Sequence, residues 1–260
     1  MQDQPLDRLH NYPNSLSMRT WLRFKSNSSG RWLQRQVNDV HSKQAKHENY
    51  RLRVAYKLHE LDDKFRLFTG NTHGVVDLGF APGAWTQVAL ERLKKKRATS
   101  ASVLGVDLIT CQPPQGAHFI TGDILSRTTH QQIMDFFGDK RVDVVMSDMM
   151  ANTLGIKDND HYASMDLCHG AMLLLLAVLA PGGSMVMKYY TGKEEQDLVA
   201  KMQAMFAKVY RFKPQACRNE SRESYIIGQK RKQGVGVEDV FNWWLLYHPL
   251  RTFRPWTGRD

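Results

Sequence analysis

Residues 75–88, with the sequence VVDLGFAPGAWTQV, constrain this chain more than any other stretch. Apolar Val75 and Val76 lead into Asp77 and Leu78, then into a loop bounded by Gly79 and Gly83, then into residues of helix-forming character. That order predicts a buried parallel strand, a tight loop and the N-terminus of a helix. The two glycines are expected to leave room for a ligand against the backbone, and Pro82 stiffens the turn between them. The dinucleotide fingerprint GxGxxG is not what stands here, because Gly79 and Gly83 are too far apart and no glycine fills the middle position.

The same grammar repeats along the chain. Residues 103–108 predict a second buried strand carrying Asp107 at its carboxyl end, where an acid in a doubly wound sheet can accept hydrogen bonds from a ribose. A Gln112-Pro113-Pro114 loop follows, and residues 119–124 predict a third strand finishing at Asp123, an acid able to meet an adenine amino group. Residues 128–137 are helical in pattern and 142–146 form a fourth strand, followed directly by Ser147 and Asp148. A long apolar helix is expected over 162–180, stopped by Pro181, Gly182 and Gly183. A fifth strand (184–188), a helix (194–206) and an antiparallel pair (209–212 with 224–227) close the sheet. Strand–helix alternation of this kind predicts an α/β fold, a mostly parallel sheet with helices on both faces.

Charge narrows the partner. The 260 residues carry a net charge of +10, which favours a polyanion. Between Arg8 and Asn38 there is no acidic residue, and Arg19, Arg23, Lys25, Arg31 and Arg35 recur among serines. Arg-rich, Ser-rich and acid-poor is the composition of an organellar transit peptide, or of a basic arm that touches RNA phosphates. The run Lys94, Lys95, Lys96, Arg97 suits a helix C-terminus. Val54, Leu58 and Leu61 fall on one helical face, which leaves Arg51, Arg53 and Lys57 exposed to a groove or to water. Three widely spaced cysteines (Cys111, Cys168, Cys217) fit neither a disulfide framework nor a zinc site and indicate a reducing compartment. No paired metal-ligand spacing is visible among the ten histidines. The longest apolar run, 171–180, is shorter than the ~20 residues a bilayer crossing takes and is expected to be a buried helix.

Several motifs resemble one family. DLGxxPGxW at 77–85 is similar to the cofactor loop of the RrmJ/FtsJ RNA 2′-O-methyltransferases. Residues 28–36 (SSGRWLQRQ) look like the segment with which its rRNA-modifying members begin. YRLRVAYKL at 50–58 is similar to the family's YRSRAAxKL, and residues 213–223 (KPQACRNESRE) to its KPxxSRxxSxE. Two departures stand out: SDMMAN at 147–152 replaces the usual SDMAPN, which removes a proline-set turn after Asp148, and Cys217 replaces a common serine.

The resemblance implies a Rossmann-like class I S-adenosylmethionine-dependent methyltransferase fold with a seven-stranded sheet. It implies that Lys188 accepts the proton of a ribose 2′-hydroxyl, that Lys57 and Asp148 tune and orient it, and that Glu223 helps fix the site. Pro82, Gly83, Ala84, Trp85, Asp107, Asp123 and Asp148 would line the pocket for S-adenosyl-L-methionine, and no metal is implied. The chemistry is consistent with that set. A ribose hydroxyl is a poor nucleophile, a lysine can serve as its base if a second ammonium disfavours its charged form, and carboxylates hold the lysines in place.

Three regions are expected: a basic N-terminal segment over 1–27, a methyltransferase domain over 28–232 and an aromatic-rich extension over 233–260. The extension carries Trp243, Trp244, Tyr247 and Trp256, able to pack on the core or to stack on RNA bases. Within the family the chain most resembles fungal mitochondrial large-subunit rRNA methyltransferases. The expected partner is therefore large-subunit rRNA or a pre-ribosomal particle, met by a mitochondrial monomer that engages no membrane, with an A-loop uridine as target. Other readings remain: a tRNA or other RNA 2′-O-methyltransferase, a ribosome-assembly factor whose turnover is dispensable, or a methyltransferase of small molecules or proteins.

Overall fold

Thirteen helices and strands follow one another from Ala55 to Val240 in the computed structural model, which describes residues 50–150 and 157–241. The basic segment with Arg31, Trp32 and Arg35, the pair Ala151 and Asn152, and the aromatics Trp243, Trp244, Tyr247 and Trp256 lie outside the described residues. The chain runs α1 (Ala55–Phe65), β1 (Gly74–Leu78), α2 (Ala84–Lys95), β2 (Ser102–Asp107), β3 (His118–Thr121), α3 (Arg127–Phe137), β4 (Val142–Ser147), α4 (Lys157–Val178), β5 (Leu179–Tyr190), α5 (Glu195–Met205), β6 (Phe206–Phe212), β7 (Glu223–Arg231) and α6 (Val237–Val240).

The seven strands form one sheet in the order β3-β2-β1-β4-β5-β7-β6. The first five pair in parallel, and β7 runs antiparallel to both β5 and β6. All five residues of β1 are buried, because the strand has a neighbour on either side and helices over both faces. Its side chains alternate between two cores. Val75 joins Leu58 and Leu61 of α1 and Val88 of α2 on one face, whereas Val76 joins Ile133 of α3, Met172 of α4 and Leu198 of α5 on the other. The strand order reverses at β1, with β2 on one side and β4 on the other, so the cleft beyond the carboxyl ends of these strands is where an open α/β sheet receives ligands.

The sequence pattern misplaces several boundaries, and β5 to β7 all run longer than expected. It extends the third strand to residue 124, but β3 ends at Thr121 and Asp123 sits in the turn that follows, its Oδ1 accepting the Leu125 amide at 2.9 Å. It runs the long helix to residue 180, but α4 ends at Val178. Pro181, Gly182 and Gly183 then lie within β5, where the register against β4 shifts between Val142 and Val144. It also begins the helix at residue 162, five residues after its start. By length and composition α4 could cross a membrane, yet Met165, Cys168, Leu174 and Leu175 are buried in the core shared with β4 and β5. Beyond β7, Val240 and Phe241 are buried against the same core, Phe241 packing edge-on to His169 at 5.8 Å.

Candidate active site

The site is assembled from strand register. Lys188 of β5 lies directly opposite Tyr225 of β7, and Tyr190 lies opposite Glu223. Residues two apart on a strand share a face, so Lys188, Tyr225 and Glu223 all project to the side on which α1 packs. Asp148 follows the last residue of β4 and is tied to the β1 end, its amide donating to the Leu78 carbonyl at 3.3 Å.

Two ion pairs result. Lys57 Nζ stands 2.7 Å from Glu223 Oε1, with side chains 7% and 13% exposed. Lys188 Nζ stands 3.2 Å from Asp148 Oδ1 and donates to the Asp148 carbonyl at 2.6 Å. The two pairs act on one another. Burial works against the Lys57 charge, but Asp148 and Glu223 outweigh it and lift the ammonium above its ordinary value. Burial likewise works against the Asp148 carboxylate, yet Lys188, Lys57 and the Tyr225 hydroxyl hold it below the usual carboxylate range. Lys57 is therefore shielded from water, contrary to what helical periodicity predicts. It is only 5% exposed, because the Glu223 carboxylate neutralises it.

Tyr225 is a member of this cluster that the sequence pattern does not disclose. Its hydroxyl donates to Asp148 Oδ1 at 2.6 Å, its ring meets Trp85 at 5.7 Å, and Lys57 Nζ sits 5.9 Å from the ring centroid. Burial, then the charges of Asp148 and Glu223, push its phenol well above the ordinary value, so it remains a donor. An alternating strand signals only that Tyr225 faces a core; its partner, Asp148, is 77 residues away.

The loop over 79–83 is packed closely against its own neighbours. A Cβ on Gly79 would sit 2.7 Å from the Met149 side chain, and one on Gly83 would sit 2.9 Å from the Phe80 ring. The missing side chains make room for the protein's own packing, and both backbones take positive φ, 77° and 99°. Asp107 braces this loop, its Oδ2 accepting the Ala81 amide at 2.8 Å and its Oδ1 the Ile109 amide at 2.9 Å. Each oxygen retains capacity for a further donor. Leu108 and Ile109 beside it are 70% and 67% exposed. Ala84 and Trp85 open α2, and the Trp85 indole donates to the Val54 carbonyl at 2.9 Å. Asp77 is buried beneath the loop; burial pushes its carboxyl up to about 7 against the Thr86 hydroxyl bond of 2.7 Å.

The segment leading into α1 and the helix itself lace the two halves together. Arg51 Nη1 donates to the carbonyls of Pro82 and Gln112. Arg53 donates to the Ala216 carbonyl at 2.6 Å, and the Glu60 carboxylate accepts the amides of Gln215 and Ala216 at 2.6 and 2.8 Å. These contacts pin the loop between β6 and β7, where the buried Cys217 thiol hydrogen-bonds Glu223.

Comparison with known proteins gives a consistent likeness. A family described as FtsJ-like methyltransferase matches residues 50–231. The mitochondrial rRNA methyltransferase 2 of Saccharomyces cerevisiae is 34% identical, with 91% of this chain and 98% of that protein covered. The ribosomal RNA large subunit methyltransferase E of Rickettsia akari is 39% identical over 79% of this chain and 90% of its own length. Among solved structures, a Plasmodium falciparum protein assigned as a ribosomal RNA methyltransferase superposes with a TM-score of 0.63 at 29% identity, covering 70% of this chain and 98% of that one.

Proposed function

Because the chain belongs to the FtsJ-like methyltransferase family, we propose that it transfers a methyl group from S-adenosyl-L-methionine to a ribose 2′-hydroxyl of rRNA. The observation that carries this reading is the pair of buried lysine–carboxylate bridges, Lys57–Glu223 and Lys188–Asp148, at the carboxyl edge of the sheet. The names of the yeast and bacterial relatives support rRNA as the substrate class, and the yeast relative supports a mitochondrial location. The target is a uridine in the A-loop of mitochondrial large-subunit rRNA, met free or in a pre-ribosomal particle by a monomeric enzyme.

The donor set fits the cofactor. Asp107 has acceptor capacity for ribose hydroxyls, Asp123 stands in the turn after β3 for an adenine amino group, and the exposed Leu108 and Ile109 offer apolar surface beside them. When bound, S-adenosylmethionine supplies a sulfonium-borne methyl that passes to oxygen and leaves a thioether. Lys188 first gives up one ammonium proton to solvent, and its free amine then takes the hydroxyl proton on Nζ as the oxygen–carbon bond forms and the sulfur–carbon bond breaks. Asp148 fixes that nitrogen through its carbonyl and carboxylate oxygens, so its direction is set before substrate arrives. Tyr225 fixes Asp148, and Lys57, held by Glu223, balances the acidic charge without giving up its proton.

Primer-extension mapping of 2′-O-methyl sites on mitochondrial rRNA, with and without this protein, tests the proposal. One A-loop site should vanish in its absence, and an unchanged map would sink the assignment.

A further inference from the structure

Arg51 is solvent-exposed, yet it is held from three directions. Its backbone amide donates to Gln87 Oε1 at 2.8 Å, and its Nη1 donates to the Pro82 carbonyl after β1 and, at 2.6 Å, to the Gln112 carbonyl after β2. The side chain therefore crosses the cleft between the two loops whose strands adjoin at the switch point of the sheet. It also lies on the glycine of the first loop, since a Cβ on Gly83 would come 3.3 Å from Nη1. Bracing two carbonyls uses one nitrogen. Nε and Nη2 make no hydrogen bond or ion pair to the described residues, and a guanidinium fork of that kind matches a carboxylate. Its charge reaches into the cleft, where it draws the Cys111 thiol downward against the larger upward effect of burial.

A sulfonium nucleoside that occupies this cleft carries one carboxylate, on its amino-acid end. We infer that Arg51 is the binding residue for that α-carboxylate, closing over it from the segment that leads into α1. This rests on the cofactor assignment above and adds a residue to it. Arg51 touches the part of the cofactor that does not react, so it sets affinity and discrimination. It also places the grip on the chain that leads to Lys57, which joins cofactor occupancy to the position of α1.

The test uses two thioethers that share the adenosine group. S-adenosylhomocysteine carries the amino-acid end and 5′-methylthioadenosine lacks it. Calorimetric affinities for both are measured on the full chain, as wild type, Arg51→Met and Arg51→Lys, with melting temperatures alongside. Arg51→Met should weaken S-adenosylhomocysteine about tenfold, the low end for a charge-assisted hydrogen bond because the guanidinium is exposed. The same variant should leave 5′-methylthioadenosine within about twofold, and Arg51→Lys should recover part of the loss because it keeps the charge and not the fork. If Arg51→Met fails to fold, Arg51→Lys decides by the same selectivity. Equal weakening of both thioethers, or of neither, would reduce Arg51 to a brace between loops and overturn the inference alone. A wild-type protein that binds neither thioether would overturn the cofactor assignment itself.

Discussion

The two halves of the strand-end cleft hold their carboxylates in opposite ways. Beyond β1 to β3, acids are tied to backbone amides: Asp107 to Ala81 and Ile109, and Asp123 to Leu125. Beyond β4, β5 and β7, acids are tied to ammonium ions: Asp148 to Lys188 and Glu223 to Lys57, with the Tyr225 hydroxyl as a neutral donor to Asp148. The first arrangement shapes loops and leaves acceptor capacity for a ligand. The second concentrates charge in a place that water scarcely reaches, where removing one partner leaves the other uncompensated. Substitutions on the first side should therefore act on cofactor affinity, and those on the second on turnover and folding.

Lys188→Met presses hardest on that division. It should lower the single-turnover rate by about a hundredfold or more, the contribution of a positioned base, while affinity for S-adenosylmethionine stays near wild type. Near-normal rates would remove Lys188 from the chemistry. Asp148→Asn should destabilise the fold by about 3–5 kcal/mol in denaturant unfolding, the cost of breaking a buried pair by deleting one member. A loss below ~1 kcal/mol would mean that solvent screens the pair as it does at a surface. The sign with pH follows from the depressed Asp148 carboxyl: its stabilising share is present above the ordinary value of 3.8 and disappears as pH falls through the lower, folded value.

On the other side the effects should be smaller and fall on binding. Asp107→Ala should weaken cofactor affinity by about 1.5–3 kcal/mol in calorimetry, with turnover at saturating cofactor little changed. A selective loss of turnover would erase the contrast between the halves. Asp77→Asn should matter least for binding and show itself in the pH dependence of stability. The Asp77 carboxyl titrates at about 7 in the fold against 3.8 ordinarily, so between those values the folded protein keeps a proton that the unfolded chain has lost. Wild-type stability therefore falls as pH rises across that window and is level above it. The variant has no such slope, and its melting temperature should gain on wild type from about pH 4 to about pH 7. Weaker bonds from Thr86 should offset part of that gain. Parallel melting curves at all pH values would show that Asp77 is not the titrating group.

β1, β2 and β4 were legible because each is an apolar run that ends on or just before an acid or a glycine, and they match their predicted spans to within a residue. Asp107 and Asp148 were visible for the same reason, as acids at strand ends, and Lys188 through the family resemblance. What the pattern missed is what depends on neighbours distant in sequence. Periodicity places Lys57 on a wet face, since nothing local reveals that Glu223 of β7 will neutralise it. Gly79 and Gly83 suggest a ligand cradle from their spacing, but their close packing against Met149 and Phe80 has no local sign. Tyr225, Glu60 and Arg51 act through partners on other elements, and a single sequence carries no local sign of such pairings.

The central claim is that the Lys57, Asp148, Lys188 and Glu223 cluster drives methyl transfer to a ribose oxygen of rRNA. Its most direct test is nucleoside mass analysis of mitochondrial large-subunit rRNA lacking the modification, after incubation with S-adenosylmethionine and either wild-type protein or Lys188→Met. The account predicts 2′-O-methyluridine with wild type and none with the variant. Methylation on a base, or equal 2′-O-methyluridine with both proteins, would contradict it.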